Sequence, residues 1–119
     1  MALTDFGKAV RTARIHTGYT LLTMANELDT TPAFLSGMET GSKKIPKNWA
    51  NKIETFFISK GYSIESLEEL AAVSNEIVPI DGLSQQQKML VAGFAKSQFT
   101  PEQLKSFAEL LHKINNNGE

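Results

Sequence analysis

The stretch TLLTMANELDTTPAFLSGMETG, residues 20–41, decides the reading of this chain. It divides into two short helical patterns separated by Asp29-Thr30-Thr31. Thr31 is suited to cap the second pattern, because its hydroxyl can accept from an otherwise orphaned helix N–H. Pro32 follows at the first helical position, where a missing N–H costs nothing. Gly41 can close the helix with a positive φ. Leu35 and Met38 then fall on one side, with Ala33, Ser36, Gly37 and Thr40 elsewhere. The first pattern, capped by Thr20, places Leu21, Met24, Ala25 and Leu28 on a stripe. Two such stripes closing on one another describe a helix-turn-helix.

The neighbouring sequence makes a resemblance specific. Phe6-Gly7, Arg11, Arg14-Ile15, Gly18-Tyr19-Thr20, Met24-Ala25, Thr31-Pro32, Leu35-Ser36, Met38-Glu39, Gly41 and Lys44-Ile45-Pro46 occur at unbroken spacing. In these residues the segment 6–57 resembles the phage-repressor, or Xre-type, helix-turn-helix family of transcriptional regulators. The resemblance implies an all-α chain: a compact five-helix, lambda-repressor-like DNA-binding domain at residues 1–61, then a helical C-terminal region at 62–119. It also implies that Arg14 pairs with Glu39, tying the first helix to the end of the second helix of the motif. The family often has glutamine where Leu21 stands and a long polar residue where Gly37 stands.

Under this resemblance double-stranded DNA is the partner, and the helix opened by Pro32 enters the major groove. Thr31, Ala33, Phe34, Ser36 and Gly37 are the expected base-facing residues. Ala33 or Phe34 suits a thymine methyl, and Ser36 can donate or accept. None offers the bidentate fork of Arg, Asn or Gln, so specificity is expected to lean on backbone contacts and DNA shape. Thr20, Thr40, Ser42, Lys43, Lys44 and Lys47 are the phosphate candidates, contacts that position without reading sequence.

Composition sets the bounds. The chain has 119 residues, 41% of them hydrophobic, so one or two small domains are expected. There is no cysteine, which excludes a disulfide framework and a thiolate nucleophile or metal site. No apolar run spans a bilayer and no signal peptide opens the chain, so a soluble cytoplasmic protein is expected. The net charge of −1 hides an asymmetry: residues 1–60 carry eight Lys or Arg against five Asp or Glu, and residues 61–119 carry four against eight. A basic front half and an acidic back half suit a DNA-facing head and an averted tail.

Along the chain, residues 1–17 read as a helix with Phe6, Val10 and Ala13 inward, capped by Thr4 or Asp5. Residues 46–60, opened by Pro46, carry Trp49, Ile53, Phe56 and Phe57 at core spacing. Lys60-Gly61-Tyr62 reads as a boundary. Three further helices are expected, opened by Ser66/Glu69, Ser84/Gln87 and Thr100/Gln103, each pair matching a capping box. Ile77-Val78-Pro79-Ile80 reads as an extended apolar segment that packs on something, at most an edge strand. The last helix lines up Leu104, Phe107, Leu111 and Ile114. These can meet Leu83, Leu90, Val91 and Phe94 in a hairpin or meet a second copy, and a homodimer is the expectation. The tail 115–119 reads as frayed.

No constellation for catalysis is present: no phosphate-cradling Gly-rich loop, and His16 and His112 lack metal-ligand spacing. Neither an enzyme nor a cofactor is expected. An antitoxin or a phage or plasmid control protein, with a toxin or other regulator as protein partner, fits the same residues. The reading from another class is a helical interaction module that has lost DNA binding.

Overall fold

The computed structural model describes residues 2–117, which form seven α-helices and no strand. They are α1 (Asp5–Thr17), α2 (Leu21–Glu27), α3 (Pro32–Thr40), α4 (Trp49–Ser59), α5 (Leu67–Asn75), α6 (Gln85–Lys96) and α7 (Pro101–Asn117). The chain divides into two compact units, Met1–Pro79 and Ile80–Glu119.

Local chemistry places the first three helices. Thr4 caps α1, its hydroxyl accepting from the Gly7 N–H, and Gly18 ends it at φ 77°. The helix begins at Asp5, with residues 2–4 non-helical and Met1 outside the described residues. Thr20 caps α2 in a reciprocal box with Thr23. Asp29 turns the chain at φ 55°, a left-handed conformation that a short polar residue tolerates. Thr31 then caps α3, accepting from the Phe34 N–H, and Gly41 closes it at φ 80°.

Beyond α3 the local rules bend. Helix α4 opens at Trp49 rather than Pro46, because Asn48 takes a left-handed φ of 76° between them. Pro46 instead receives the Trp49 N–H in a turn. The pattern Ser66/Glu69 does not cap α5: Ser66 sits at φ 57° and its side chain makes no cap bond. Both halves of the box do form at Thr100 and Gln103, and Ser84 accepts from the Gln87 N–H.

One core holds the first unit together. Phe6, Val10 and Ala13 of α1, Met24 and Ala25 of α2, Leu35 and Met38 of α3, and Ile53, Phe56 and Phe57 of α4 are buried in it. Ile64, Leu67 and Ala71 join the same cluster. Helix α5 packs on both α1 and α4. The unit therefore runs to Pro79, not 61, and the five helices expected within residues 1–61 are reached only by including α5. With Glu65, Glu68, Glu69 and Glu76 in the first unit, it carries eight Lys or Arg against nine Asp or Glu, and the second carries four of each. The basic-head, acidic-tail contrast does not follow the structural division.

The second unit is built differently. No described residue of α6 or α7 is buried. Phe94 of α6, Phe99 of the connection and Phe107 of α7 gather at the corner, with ring centroids 4.7–5.3 Å apart. The outward residues of both helices stay exposed, so the apolar faces do not close into a sealed hairpin. The apolar segment before α6 is also uncovered, Ile77 and Val78 being more than 60% exposed. Asn115 and Asn116 are helical rather than frayed, and Gly118 and Glu119 lie outside the described residues. No helix among the described residues is long and apolar enough to cross a membrane.

Candidate nucleic-acid interface

Glu39 fixes α3 to α1. Its carboxylate accepts from both terminal nitrogens of Arg14, with Arg14 Nη2 at 3.2 Å from Oε1. Both side chains are nearly buried, 10% and 6% exposed. The Glu39 carbonyl accepts from the Thr4 N–H and from the Thr4 hydroxyl, each at 3.0 Å. It also lies so close to Gly7 that a β-carbon there would stand 2.1 Å from the oxygen. Glycine at position 7 is thus a steric requirement. Only a bare backbone lets α1 approach the last turn of α3.

The outer surface of α3 is narrower than its sequence implies. Thr31 and Ala33 are exposed and Ser36 is half-buried. Phe34 is half-buried, packed on the core, with its ring edge-on to Trp49 at 5.0 Å. Gly37 is buried. The aliphatic part of Lys43 lies over it, and the Lys43 N–H donates to the Gly37 carbonyl at 3.1 Å. Of the five base-facing candidates, Thr31, Ala33 and Ser36 are therefore open to an approaching surface, and Phe34 and Gly37 are largely occupied within the fold.

The phosphate candidates divide in the same way. Thr20 is exposed at the head of α2, its hydroxyl engaged in the capping box. Thr40 donates its hydroxyl to the Ser36 carbonyl at 3.1 Å and has Ser42 Oγ at 3.3 Å. Lys47 is exposed. The Lys44 ammonium donates to the Asn75 carbonyl at 2.8 Å, at the C-terminus of α5, where a cation complements the helix dipole.

Sequence reasoning missed Asn75. Its side-chain oxygen accepts from the Ile45 N–H at 2.8 Å, and its amide nitrogen donates to the Ile45 carbonyl at 2.9 Å. With the Lys44 bond, one residue makes three hydrogen bonds to the loop after α3. Ile45 is itself buried, so the loop is held at its apolar anchor and by its backbone. The partners are 30 residues apart and neither forms a motif, so nothing in the sequence signals the clamp.

A second polar cluster joins the α1–α2 connection to the C-terminal ends of α2 and α4. The Tyr19 hydroxyl donates to Glu27 at 2.6 Å, and Lys60 Nζ stands 3.0 Å from the same carboxylate. These two bonds, Tyr19 foremost, hold the Glu27 carboxyl below its ordinary 4.5, and the Lys60 ammonium is raised by Tyr19 and Glu27 in turn. His16 stacks on Tyr62 at 5.1 Å, and His112 lies against the Asn116 amide. Among the described residues, no group of three or more His, Asp or Glu side chains is placed to hold a metal ion.

No protein-family profile matches this chain, and no curated protein or solved structure does so either.

Proposed function

We propose that the chain binds double-stranded DNA sequence-specifically and regulates transcription, with α2 and α3 acting as a helix-turn-helix of the lambda-repressor kind. One observation carries the reading. A short helix with small outward side chains at its N-terminal end is held to α1 by the buried Arg14–Glu39 pair. The major groove of B-DNA is wide enough for such a helix, and the N-terminal residues of a recognition helix are those that meet base edges.

Each open residue has a role in this reading. The Ala33 methyl packs against a thymine methyl, and the Ser36 hydroxyl donates or accepts at a base edge. Thr31 keeps its hydroxyl on the Phe34 N–H and presents its methyl. Ser42, Lys43, Lys47 and Thr20, all exposed, hold the DNA backbone. Lys44 joins them by exchanging the Asn75 carbonyl for a phosphate. Base reading by so few short side chains is supplemented by shape and deformability. A repressor, a phage or plasmid control protein and an antitoxin share this chemistry. A toxin gene beside the coding sequence distinguishes the last.

A helical interaction module is the second reading, favoured by the covered Gly37, the packed Phe34 and the net charge of −1 on the first unit. A salt titration of binding to selected and random duplexes separates the two. Binding falls with salt at a slope of about −0.9 per phosphate neutralised. The variant Lys43→Ala/Lys44→Ala weakens binding to all duplexes alike and flattens that slope by about two, or by about one if Lys44 stays on Asn75. Absence of salt-dependent duplex affinity in the native chain overturns the DNA reading.

A further inference from the structure

The second unit has helices but no interior. Met89, Leu90 and Phe94 of α6, and Leu104, Phe107, Leu110, Leu111 and Ile114 of α7, are 40–67% exposed. A unit of this size does not hold its shape on an uncovered apolar face, because a chain of about 40 residues needs a partner or a staple to be stable. We propose that the cover is a second copy of the chain, and that the α6–α7 faces of two copies pack together as a homodimer interface. This inference is independent of DNA binding.

Three features select a second copy. First, Leu104, Phe107, Leu111 and Ile114 are spaced three, four and three apart, the seam of helices that pack lengthwise. The positions flanking that seam are Gln103, Ala108, Leu110 and Asn115, none charged. The charged residues of α7, Glu102, Lys105, Glu109 and Lys113, lie off it. The α7 seams of two copies therefore meet without like-charge opposition, in a unit whose four basic and four acidic residues balance. Second, the exposed area is sufficient. Half-exposed aliphatic and aromatic side chains of this number offer on the order of 700 Å² per chain. A pair then buries about 1,400 Å², inside the range of stable specific interfaces.

Third, α6 has a notch that the monomer does not use. Gly93 lies within the helix, and a β-carbon there would meet nothing within 4 Å. Glycine is a poor helix former, and no intramolecular contact requires it here. Its neighbours one turn back, Met89 and Leu90, are 64% and 67% exposed. A gap beside two projecting apolar side chains is the shape that admits a side chain from another helix. A groove of about 320 Å³ lined by Phe99, Gln103, Ser106, Phe107 and Leu110 is a second depression, beside α7.

The test is the particle mass of the full chain without DNA, by sedimentation equilibrium across the micromolar range. The native chain gives twice its 13.1 kDa. Leu111→Lys raises the dissociation constant by at least about a hundredfold, as loss of a central apolar anchor does. Gly93→Ala guards against an artefact of unfolding, since alanine there meets open space and favours helix. It retains or gains helicity by circular dichroism and still shifts the equilibrium toward monomer. A monomeric native chain overturns the proposal, as does a dimer indifferent to Leu111→Lys. Dissociation by Leu111→Lys with none from Gly93→Ala overturns the part assigned to α6.

Discussion

Removing the Arg14 guanidinium tests what joins α3 to the rest of the first unit. In Arg14→Ala the Glu39 carboxylate, 6% exposed, stays buried and loses its charged partner. Breaking a buried pair from one side costs about 3–5 kcal/mol, because the remaining charge is uncompensated. A unit of this length has about 4–12 kcal/mol in all at typical per-residue stability. The change therefore removes a large share of the fold. At about 4–8 °C per kcal/mol for a domain of this size, the melting temperature falls by at least about 12 °C. Heat and urea unfolding followed by far-ultraviolet circular dichroism measure it. The companion variant Arg14→Met/Glu39→Leu separates a pair from a mere buried charge. Replacing both members with apolar side chains of similar volume is often neutral or stabilising, so the double variant regains most of the loss. A single-variant cost below about 1 kcal/mol, the scale of a solvated surface pair, refutes the reasoning. So does a double variant no more stable than the single.

Gly7→Ala drives a methyl into the Glu39 carbonyl at 2.1 Å, and destabilises the unit by about 1–3 kcal/mol in urea titration as an overpacked contact does. Asn75→Ala leaves the Ile45 amide and carbonyl without their partner and costs about 1–3 kcal/mol, with faster hydrogen exchange at Ile45 as its local signature. A fragment ending at residue 79 unfolds cooperatively, whereas one ending at 61 does not, because it lacks the buried Ile64, Leu67 and Ala71. Tyr19→Phe removes the larger of the two bonds that depress Glu27, so the carboxyl midpoint, read by nuclear magnetic resonance, moves up toward 4.5. The sign follows from the depressed folded value. Stabilisation by this carboxylate is complete above its ordinary pKa, is lost as pH falls through the depressed one, and shrinks in the variant.

What the sequence makes legible here is what neighbouring residues decide. Thr4, Thr20 and Thr31 act as caps because capping is settled within three residues. Gly18 and Gly41 end helices for the same reason. The apolar stripes of α1 to α4 follow from periodicity alone. Non-local decisions are not written this way. The stripe of α5, Leu67, Leu70 and Ala71, reads identically whether the helix belongs to the front core or the back unit, so the sequence does not distinguish a boundary at 61 from one at 79. Ser66 matches a capping pattern and takes a backbone angle that pattern excludes. Gly37 looks outward on a helical wheel, but Lys43 returns across it from a loop that the wheel does not contain. The charge contrast between halves depended on the boundary and disappears with it.

The edge-on contact between Phe34 and Trp49 gives the molecule its own optical gauge. Trp49 is the chain's single tryptophan, with a ring of α3 on one flank and the Lys52 ammonium 4.4 Å from its centroid. Indole emission responds to nearby charge and to small displacements of its neighbours. Any ligand that shifts α3 or draws Lys52 away therefore alters the fluorescence of an unlabelled native sample, and occupancy can be followed without attaching a dye.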